Sequence, residues 1–299
     1  MNYYDEIKNI IIDNEVYKKV KDYSKNKHEL ENYYKIGKLL IEAQGGEERA
    51  KYGDRLIKEY SKKLVIEVGK KYNYKTLLRI RQFYLFSEKF ATLSRNLTWS
   101  HYVELLSIND INKINYYIDI TIKYNLSVRE LRKKIKSKEY ERLDESTRNK
   151  LIKKETLNIS DNIKHPIVIK NKYNRNDISE KMLKGLILED IDSFLHELGE
   201  GFTYVGNEYK IKLGNNYNYI DILLFNIKYN CYVVIELKVT ELKKEHIGQI
   251  HTYMNYIDKN VKNIYQDKTI GIIIVRKDNQ FIMEYCSDER IYRTTYEFV

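Results

Sequence analysis

Residues 219–239, which read YIDILLFNIKYNCYVVIELKV, constrain the fold of this chain most strongly. Two runs rich in Ile, Val, Leu, Phe and Tyr lie on either side of the polar segment 226–230. Two such β-prone runs around a short polar segment predict a β-hairpin. If the hairpin folds about its midpoint, position 221 lies opposite position 236. The sequence therefore predicts that Asp221 and Glu236 face each other on neighbouring strands.

The predicted pairing of Asp221 with Glu236 needs compensation. Directly opposed residues have Cβ atoms about 4.5–5.5 Å apart, and like charges there destabilise a sheet. A divalent cation would reverse this effect, because Mg2+ is held by one or two carboxylates together with water and phosphate oxygens. Lys238 lies two positions beyond Glu236 and hence on the same face, where an ammonium group can orient a water molecule. The pattern predicts metal-dependent phosphodiester hydrolysis.

The Glu-x-Lys pattern alone is weak evidence for a catalytic site, because it recurs in this lysine-rich chain. Three other copies occur, at Glu6 and Lys8, at Glu208 and Lys210, and at Glu241 and Lys243. The copy at Glu236 differs because it interrupts an apolar strand that should form part of a core. A register slip of one residue would place Glu236 on the other face of the sheet, away from Asp221, and the predicted acidic pair would not form.

Length and composition indicate a chain with one large or two ordinary domains. It has 299 residues, of which 42% are hydrophobic. No run of eighteen apolar residues is present, so we expect no membrane span. The N-terminus lacks the basic start and apolar centre of a secretory signal. The two cysteines, Cys231 and Cys286, form neither a disulfide framework nor a metal-ligand spacing, which favours a reduced, cytoplasmic setting.

The excess of basic over acidic residues lies in the first half of the chain. Residues 159–299 contain 19 Lys and Arg against 20 Asp and Glu, whereas residues 1–158 contain 34 against 23. A surface that neutralises phosphates gains affinity by releasing counterions, so the first half is predicted to contact nucleic acid. The alternative is that part of this charge only forms a solvated face.

Hydrophobic periodicity predicts an all-α domain over residues 1–158. One predicted helix begins after Asn73, a residue suited to capping it, and places Lys75, Arg79 and Gln82 on one face. This stripe is a candidate nucleic-acid contact, or equally an exposed surface. His101 lies near Trp99 and Tyr102 and is expected to be a core residue with satisfied hydrogen bonds.

The second half predicts an α/β domain with a mixed sheet. The polar segment 159–176 is predicted to be a linker, and the domain is predicted to cover 177–299. Its expected order is a helix over 177–198, a strand over 203–213, the hairpin, a helix over 244–258 and a strand over 269–276. Gln249 and Tyr253 are expected on a different face of the 244–258 helix from its buried residues.

This order, with Asp on the second strand and Glu-x-Lys on the third, resembles the PD-(D/E)XK nuclease superfamily and its restriction-endonuclease-like core. The segments 194–206, 219–225, 234–239 and 248–258 resemble the YhcG-like bacterial members. In the first half, the segments YYKIGKLL, LLRIRQFY, LTWSHY and SVRELR resemble their N-terminal domain. The resemblance extends over nearly the whole chain.

The resemblance implies roles for individual residues. Asp221 and Glu236 would bind Mg2+ or Mn2+, Lys238 would position the attacking water, and Gln249 would complete the site. An acid on the first helix would help to hold a second ion. Where relatives often have Leu-Glu, this chain has Leu183 and Lys184, so we select Glu189 as the metal ligand, with Glu197 behind it.

The favoured function is a Mg2+- or Mn2+-dependent DNA endonuclease, which the family resemblance places in a restriction or defence context. The alternative is a catalytically weak or silent protein that uses a nuclease fold to bind nucleic acid or a partner. RNA is an alternative substrate. The helical domain is a candidate for self-association. A paired-carboxylate glycosidase is disfavoured by Lys238 and by the basic first half.

Overall fold

The chain divides into two compact units, Met1–Lys136 and Ser137–Val299. The computed structural model describes residues 3–19, 25–46, 54–89, 97–173, 177–286 and 288–299. Over the described residues the first unit is helical, and the second combines helices with a mixed six-stranded sheet. The predicted fold class, a helical domain followed by an α/β core, is confirmed. None of the described helices is both long and apolar enough to cross a bilayer.

The helical unit buries the apolar stripes that its sequence periodicity predicts. Ile7 and Ile11, four residues apart on one helix face, are both 0% exposed. The aromatic rings of Tyr33 and Phe83 pack against Trp99, with ring centroids 4.5 and 5.3 Å apart. The helices are α1 Tyr3–Lys19, α2 Lys25–Ala43, α3 Asp54–Glu67, α4 Tyr74–Ser87, α5 Trp99–Leu105, α6 Ile111–Lys123 and α7 Val128–Lys136.

Two helices of this unit begin at caps that the sequence specifies. The Asn73 side chain accepts a hydrogen bond from the Thr76 backbone N–H at 3.2 Å, so the predicted cap of α4 is confirmed. Before α7, the Ser127 N–H donates to Glu130 Oε2 at 2.8 Å and the Glu130 N–H donates to Ser127 Oγ at 3.3 Å. This helix ends at Lys136, and Lys138 has a left-handed φ of 53°.

His101 is a satisfied core residue, as predicted. Its ring nitrogens lie 3.1 Å from the Thr98 backbone N and 3.0 Å from the Leu126 carbonyl oxygen. The residue is 8% exposed. Because both ring nitrogens are engaged locally, the segment around Trp99 and His101 stabilises the helical core.

The α/β unit is built on a sheet of strand order β1-β6-β5-β4-β3-β2. The β2–β3 and β3–β4 pairs are antiparallel, whereas β4–β5, β5–β6 and β6–β1 are parallel. The elements are α8 Glu145–Lys153, β1 Ile167–Ile169, α9 Glu180–Glu189, α10 Ile191–Leu198, β2 Phe202–Leu213, β3 Asn216–Asn226, β4 Cys231–Glu241, α11 Lys244–Asn260, β5 Asp267–Lys277, α12 Gln280–Cys286 and β6 Ile291–Phe298.

Contacts between distant segments join residues before 177 to the α/β unit. The segment 159–176, predicted to be a linker, contains β1, which pairs with β6 at Ile167↔Tyr296. The predicted helical domain extends to 158, but the second compact unit begins at Ser137. The cause is the pairing of a three-residue strand with a segment far away in sequence, which no local pattern reveals. The predicted helix over 177–198 is two helices, separated at Asp190 with φ −133° and ψ 53°.

The β3–β4 hairpin has the register that the sequence predicts. The recorded pairs run from Asn226↔Cys231 to Ile222↔Ile235, and the same register continued by one step places position 221 opposite 236. Both faces of β4 are covered, because Ile235 packs in one core cluster with Leu183 of α9 and Val234 packs in another with Ile250 of α11. Helices on both faces explain the nearly continuous apolar sequence of this strand.

Candidate active site

The hairpin brings Asp221, Glu236 and Lys238 together near the point where the β3–β4 pairing ends. Asp221 Oδ2 accepts a hydrogen bond of 3.0 Å from the Leu237 backbone N–H, so this carboxylate contacts β4 directly. Lys238 Nζ donates to Glu236 Oε1 at 2.8 Å. The three side chains predicted from the Asp and Glu-x-Lys pattern therefore form one cluster.

Glu236 is a buried carboxylate with one oxygen unsatisfied. The residue is 2% exposed, and among the described residues its Oε2 has no hydrogen-bond partner. The pKa of Glu236 is raised from 4.5 to about 7, chiefly by burial and then by the charge of Asp221, against the opposing effect of Lys238. A buried carboxylate without a full set of partners is costly to keep ionised. A cation beside Oε2 would stabilise the ionised form.

Lys238 also contacts α9. Its Nζ lies 3.4 Å from Glu180 Oε2, and its side chain is 13% exposed. Burial by itself lowers the pKa of Lys238, but the hydrogen bond to Glu236 and the charges of Glu236, Glu180 and Asp221 raise it above its ordinary value. The ammonium group is therefore held in its charged form beside the buried acid.

A second lysine, Lys184 of α9, contacts the other carboxylate. Its Nζ lies 3.3 Å from Asp221 Oδ1 and 3.0 Å from Glu208 Oε1. Burial lowers the pKa of Lys184, but Glu208 and Asp221 outweigh this effect and raise it overall. At this position, where the family resemblance leads one to expect an acid, the chain places a cation that neutralises part of the acidic cluster.

Comparisons with known proteins give matches for both halves of the chain. Residues 160–297 match the family model of the YhcG PDDEXK nuclease domain, and residues 6–142 match that of the DUF1016 N-terminal domain. The second half of the chain therefore matches the YhcG-type PDDEXK nuclease domains, and the first half matches the DUF1016 N-terminal domains. It is 28% identical over 286 residues to the putative nuclease YhcG of Escherichia coli (strain K12), with 81% of this chain and 75% of that protein covered.

Two solved structures show partial similarity to this YhcG-like chain. The first is the crystal structure of a repair endonuclease from Pyrococcus abyssi, with 18% identity and a TM-score of 0.28 over 41% of this chain. The second is titled a structure of an EndoMS-dsDNA2 complex, with 18% identity and a TM-score of 0.29 over 43% of this chain. The match spans about half of each of those chains, at 47% and 48%.

Glu189 and Gln249, the other two residues selected for the site from the family resemblance, contact residues other than Asp221, Glu236 and Lys238. Glu189 forms an ion pair with Lys172 at 2.5 Å, and its side chain is 53% exposed. Glu180, at the other end of α9, is the acid that reaches Lys238. Gln249 Nε2 donates to the hydroxyl of Tyr253 at 3.0 Å, one turn further along α11.

Glu197, the acid proposed to stand behind Glu189, has a structural role in this YhcG-like chain. Its Oε1 accepts a hydrogen bond from Arg142 Nη2 at 3.2 Å, and its Oε2 accepts one from the Val168 N–H at 2.9 Å. The side chains of Arg142 and Glu197 are 8% and 15% exposed. Glu197 therefore joins α10 to β1 and to the segment before α8.

Sequence reasoning missed three charged residues and one histidine near this cluster. These are Glu180, Lys184, Glu208 and His246. A signal for Glu180 was present, because it directly follows Ser179, whose side chain caps α9 by accepting from the Met182 N–H at 3.2 Å. His246 is 6% exposed, and its pKa is lowered by burial and by the nearby charge of Lys238. No local pattern indicated Lys184 or Glu208, because their contacts join different elements.

The predicted nucleic-acid stripe on α4 lies on the surface. Lys75, Arg79 and Gln82 are exposed, while Leu77 and Ile80 on the other side of the helix are 0% exposed. The spacing thus separated surface from core correctly. Contact of this stripe with nucleic acid stays a prediction.

The donor set of the cluster fits a single hard divalent ion. Within the described part of the chain, no group of three or more His, Cys, Asp or Glu residues is arranged to hold a metal ion. Mg2+ needs only one or two carboxylates, because water and substrate oxygens complete its octahedral shell. The unsatisfied Oε2 of Glu236, opposite Asp221, is the observation that favours an ion between these two residues.

Proposed function

We propose that this chain is a metal-dependent endonuclease that hydrolyses DNA phosphodiester bonds at Asp221, Glu236 and Lys238. The observation that carries the proposal is the juxtaposition of a buried, incompletely satisfied Glu236 with Asp221 and a charged lysine. Nothing in the hairpin requires two acids at opposed positions. The nuclease-domain family match supports the class of reaction.

The proposed roles follow from the contacts of each side chain. Asp221 and Glu236 would hold Mg2+ or Mn2+, which supplies a water of lowered pKa and offsets charge on the phosphate. The Leu237 N–H fixes the Asp221 carboxylate, so one oxygen is positioned before any ligand arrives. Lys238, held between Glu236 and Glu180, presents a positive charge to the water and to the developing charge on the phosphate.

The first half of the chain supplies the charge that would hold the substrate. The helical unit contains most of the excess of Lys and Arg, and its α4 exposes Lys75, Arg79 and Gln82. Neutralisation of phosphates by such a surface gives sequence-independent affinity. DNA is the proposed substrate, and RNA is the alternative that the assay below includes. Self-association through the helical domain stays a prediction.

A restriction or defence context and a cytoplasmic setting belong to the same proposal. The family resemblance supports the context. Cys231 is a free, buried thiol whose pKa is raised to about 11, chiefly by burial. Such a thiol is inert and packs as a small apolar residue.

The cleavage assay compares wild type with Asp221→Asn and Glu236→Gln on supercoiled plasmid, linear duplex, single strand and RNA, each with and without Mg2+. We expect wild type to cut DNA only with the metal, and each variant to lose roughly 10²–10³-fold or more of the rate, as when an electrostatic stabiliser is removed. Glu189→Gln is the matched control, because this acid is exposed and pairs with Lys172. Full cleavage by both site variants would reject the assignment.

The second candidate function is a silent nuclease fold that binds nucleic acid or a partner. It is favoured by the two lysines, since Lys184 lies against Asp221 and Lys238 against Glu236. Paired in this way, the acids are partly neutralised without any metal. A chain of this kind would bind DNA, take up no Mg2+ or Mn2+ at Asp221, and leave every substrate in the assay intact.

A further inference from the structure

The part of the β2–β3 hairpin next to the acidic cluster has one apolar face and one exposed face. On the inner face, Ile211 and Ile220 are 1% and 0% exposed and pack in the same core cluster as α11. On the outer face, Tyr217 and Tyr219 are 55% and 53% exposed. Alternation along a strand places these two tyrosines on the same side.

Two lysines on β2 lie directly opposite these tyrosines. The register pairs Lys210 with Tyr219 and Lys212 with Tyr217. Both lysines are exposed, and Lys210 Nζ lies 3.9 Å from the centroid of the Tyr217 ring, a close cation–π contact. We call the outer face formed by Lys210, Lys212, Tyr217 and Tyr219 the tyrosine–lysine face.

We propose that the tyrosine–lysine face binds an unpaired DNA strand, with bases stacked on Tyr217 and Tyr219 and phosphates held by Lys210 and Lys212. Charge complementarity and exposed aromatic rings together are the features by which proteins hold single strands without reading their sequence. The inference rests on the proposed nuclease function and adds a substrate class to it, namely DNA that is single-stranded beside the scissile bond.

The position of the tyrosine–lysine face connects it with the acidic cluster. Tyr219 lies two residues before Asp221 on β3, which corresponds to about 7 Å along a strand. On β2, Lys210 lies two residues after Glu208, whose carboxylate shares Lys184 with Asp221. The tyrosine–lysine face therefore adjoins, along both strands, residues that belong to the acidic cluster.

The spacing of the two rings favours an unpaired strand over a duplex. Residues two apart on a strand are about 7 Å apart, whereas successive bases of a B-form strand rise by about 3.4 Å. Successive bases can lie on both rings only if they are unstacked from each other, and bases inside a duplex are not available. Lysines on an edge strand such as β2 also deter sheet-to-sheet pairing, but that role does not require exposed tyrosines on the neighbouring strand.

The test measures binding of the full chain carrying Asp221→Asn, in EDTA, to a fluorescent single strand and to its duplex by anisotropy. Tyr217→Ala and Tyr219→Ala should each weaken single-strand affinity about 5- to 150-fold, the range for loss of one stacked base, and leave duplex affinity unchanged. Tyr217→Phe and Tyr219→Phe should retain affinity because they keep the ring. Lys210→Ala with Lys212→Ala should reduce the salt slope by about 1.4.

The matched control is Tyr265→Ala, which removes a tyrosine that is 87% exposed elsewhere in the same unit. Losses confined to the single strand, with the control and the Phe variants unaffected, support the proposal. Affinity equal to that of the control, or parallel losses on both substrates, would overturn it. Cleavage by the Asp221-intact chain is scored separately, so a silent enzyme that binds as predicted refutes only the nuclease function.

Discussion

The two units of this chain differ in how deeply they bury charged side chains. Among the described residues, the buried Asp, Glu, Lys and Arg all lie in the α/β unit, and they are Glu139, Arg142, Asp161, Lys164 and Glu236. In the helical unit the charged side chains that the structure describes are partly or fully exposed, and the buried His101 has hydrogen-bond partners for both ring nitrogens. The excess of positive charge and the buried charge thus lie in different units.

Two buried acids of the α/β unit differ in how completely their carboxylate oxygens are paired. Asp161 has both oxygens engaged, by Lys150 Nζ at 2.9 and 2.8 Å and by the Asn158 N–H at 2.7 Å. Glu236 has one oxygen on Lys238 and the other without a partner. The oxygens of Asp161 are thus fully engaged within the fold, whereas Glu236 keeps one oxygen that the proposed ion would contact.

We expect the largest effect when a buried ion pair of the α/β unit is broken, and a much smaller effect when an exposed pair of the helical unit is broken. Arg142→Ala removes a buried guanidinium and leaves the partly buried Glu197 without its ion-pair partner, which should lower the free energy of unfolding by about 3–5 kcal/mol. Arg132→Ala is the matched control, because Arg132 is 51% exposed and its pair with Glu104 is worth about 1 kcal/mol or less. Denaturant unfolding followed by circular dichroism measures both.

The same experiment can assign each loss to its unit. Trp99 is the only tryptophan and lies in the helical unit, so its fluorescence reports unfolding there. Arg142→Ala should shift the circular dichroism transition without shifting the fluorescence transition. Equal losses for Arg142→Ala and Arg132→Ala would remove the difference between the units.

The next effect concerns the pH dependence that Glu236 confers on the metal-free protein. Its pKa is 4.5 ordinarily and about 7 in the folded state, so the folded protein binds more protons than the unfolded chain between these values. The stabilisation is complete below pH 4.5 and is lost as the pH rises through about 7. The free energy of unfolding of wild type relative to Glu236→Gln should therefore fall by about 3 kcal/mol across this window.

Repeating the pH experiment with Mg2+ tests whether an ion binds beside Glu236. An ion beside the carboxylate favours its ionised form, so saturating Mg2+ should reduce the fall between pH 4.5 and 7 in wild type. Glu189→Gln, which alters an exposed acid, should leave the pH profile unchanged. A difference between wild type and Glu236→Gln that rises with pH would show that burial does not control this group.

The smallest expected effect concerns the surface of the helical unit. Lys75→Ala with Arg79→Ala should change stability by about 0.5 kcal/mol or less, because both side chains are exposed. If they contact phosphates, the slope of log affinity for duplex DNA against log salt should fall by about 1.8. Lys62→Ala, on an exposed face of α3, is the control. An unchanged slope in the double variant would show that Lys75 and Arg79 form a solvated face without phosphate contacts.

Local patterns were sufficient for the elements whose contacts are near in sequence. The hairpin register followed from the symmetry of two apolar runs around a short turn, and the cap at Asn73 followed from side-chain chemistry. The hairpin register alone indicated where Asp221, Glu236 and Lys238 lie. Because the register sets every facing pair, one correct midpoint was enough to predict the acidic pair.

Contacts between distant segments could not be predicted in this way. β1 has three residues and pairs with β6 at the end of the chain, so residues 159–176 resembled a linker. Glu189 was selected by its distance along α9, but that helix directs Glu180 and Lys184 toward the cluster instead. A sequence pattern predicts which face of a helix an acid lies on. Whether that acid reaches the sheet depends on how the helix packs.

The most direct test of the account is a calorimetric titration of wild type, Asp221→Asn and Glu236→Gln with Mn2+, with Glu189→Gln as control. The account predicts saturable uptake of one ion by wild type and by Glu189→Gln, and loss of that uptake in both site variants. Uptake that persists in Asp221→Asn and Glu236→Gln, or that is missing from wild type, would contradict it.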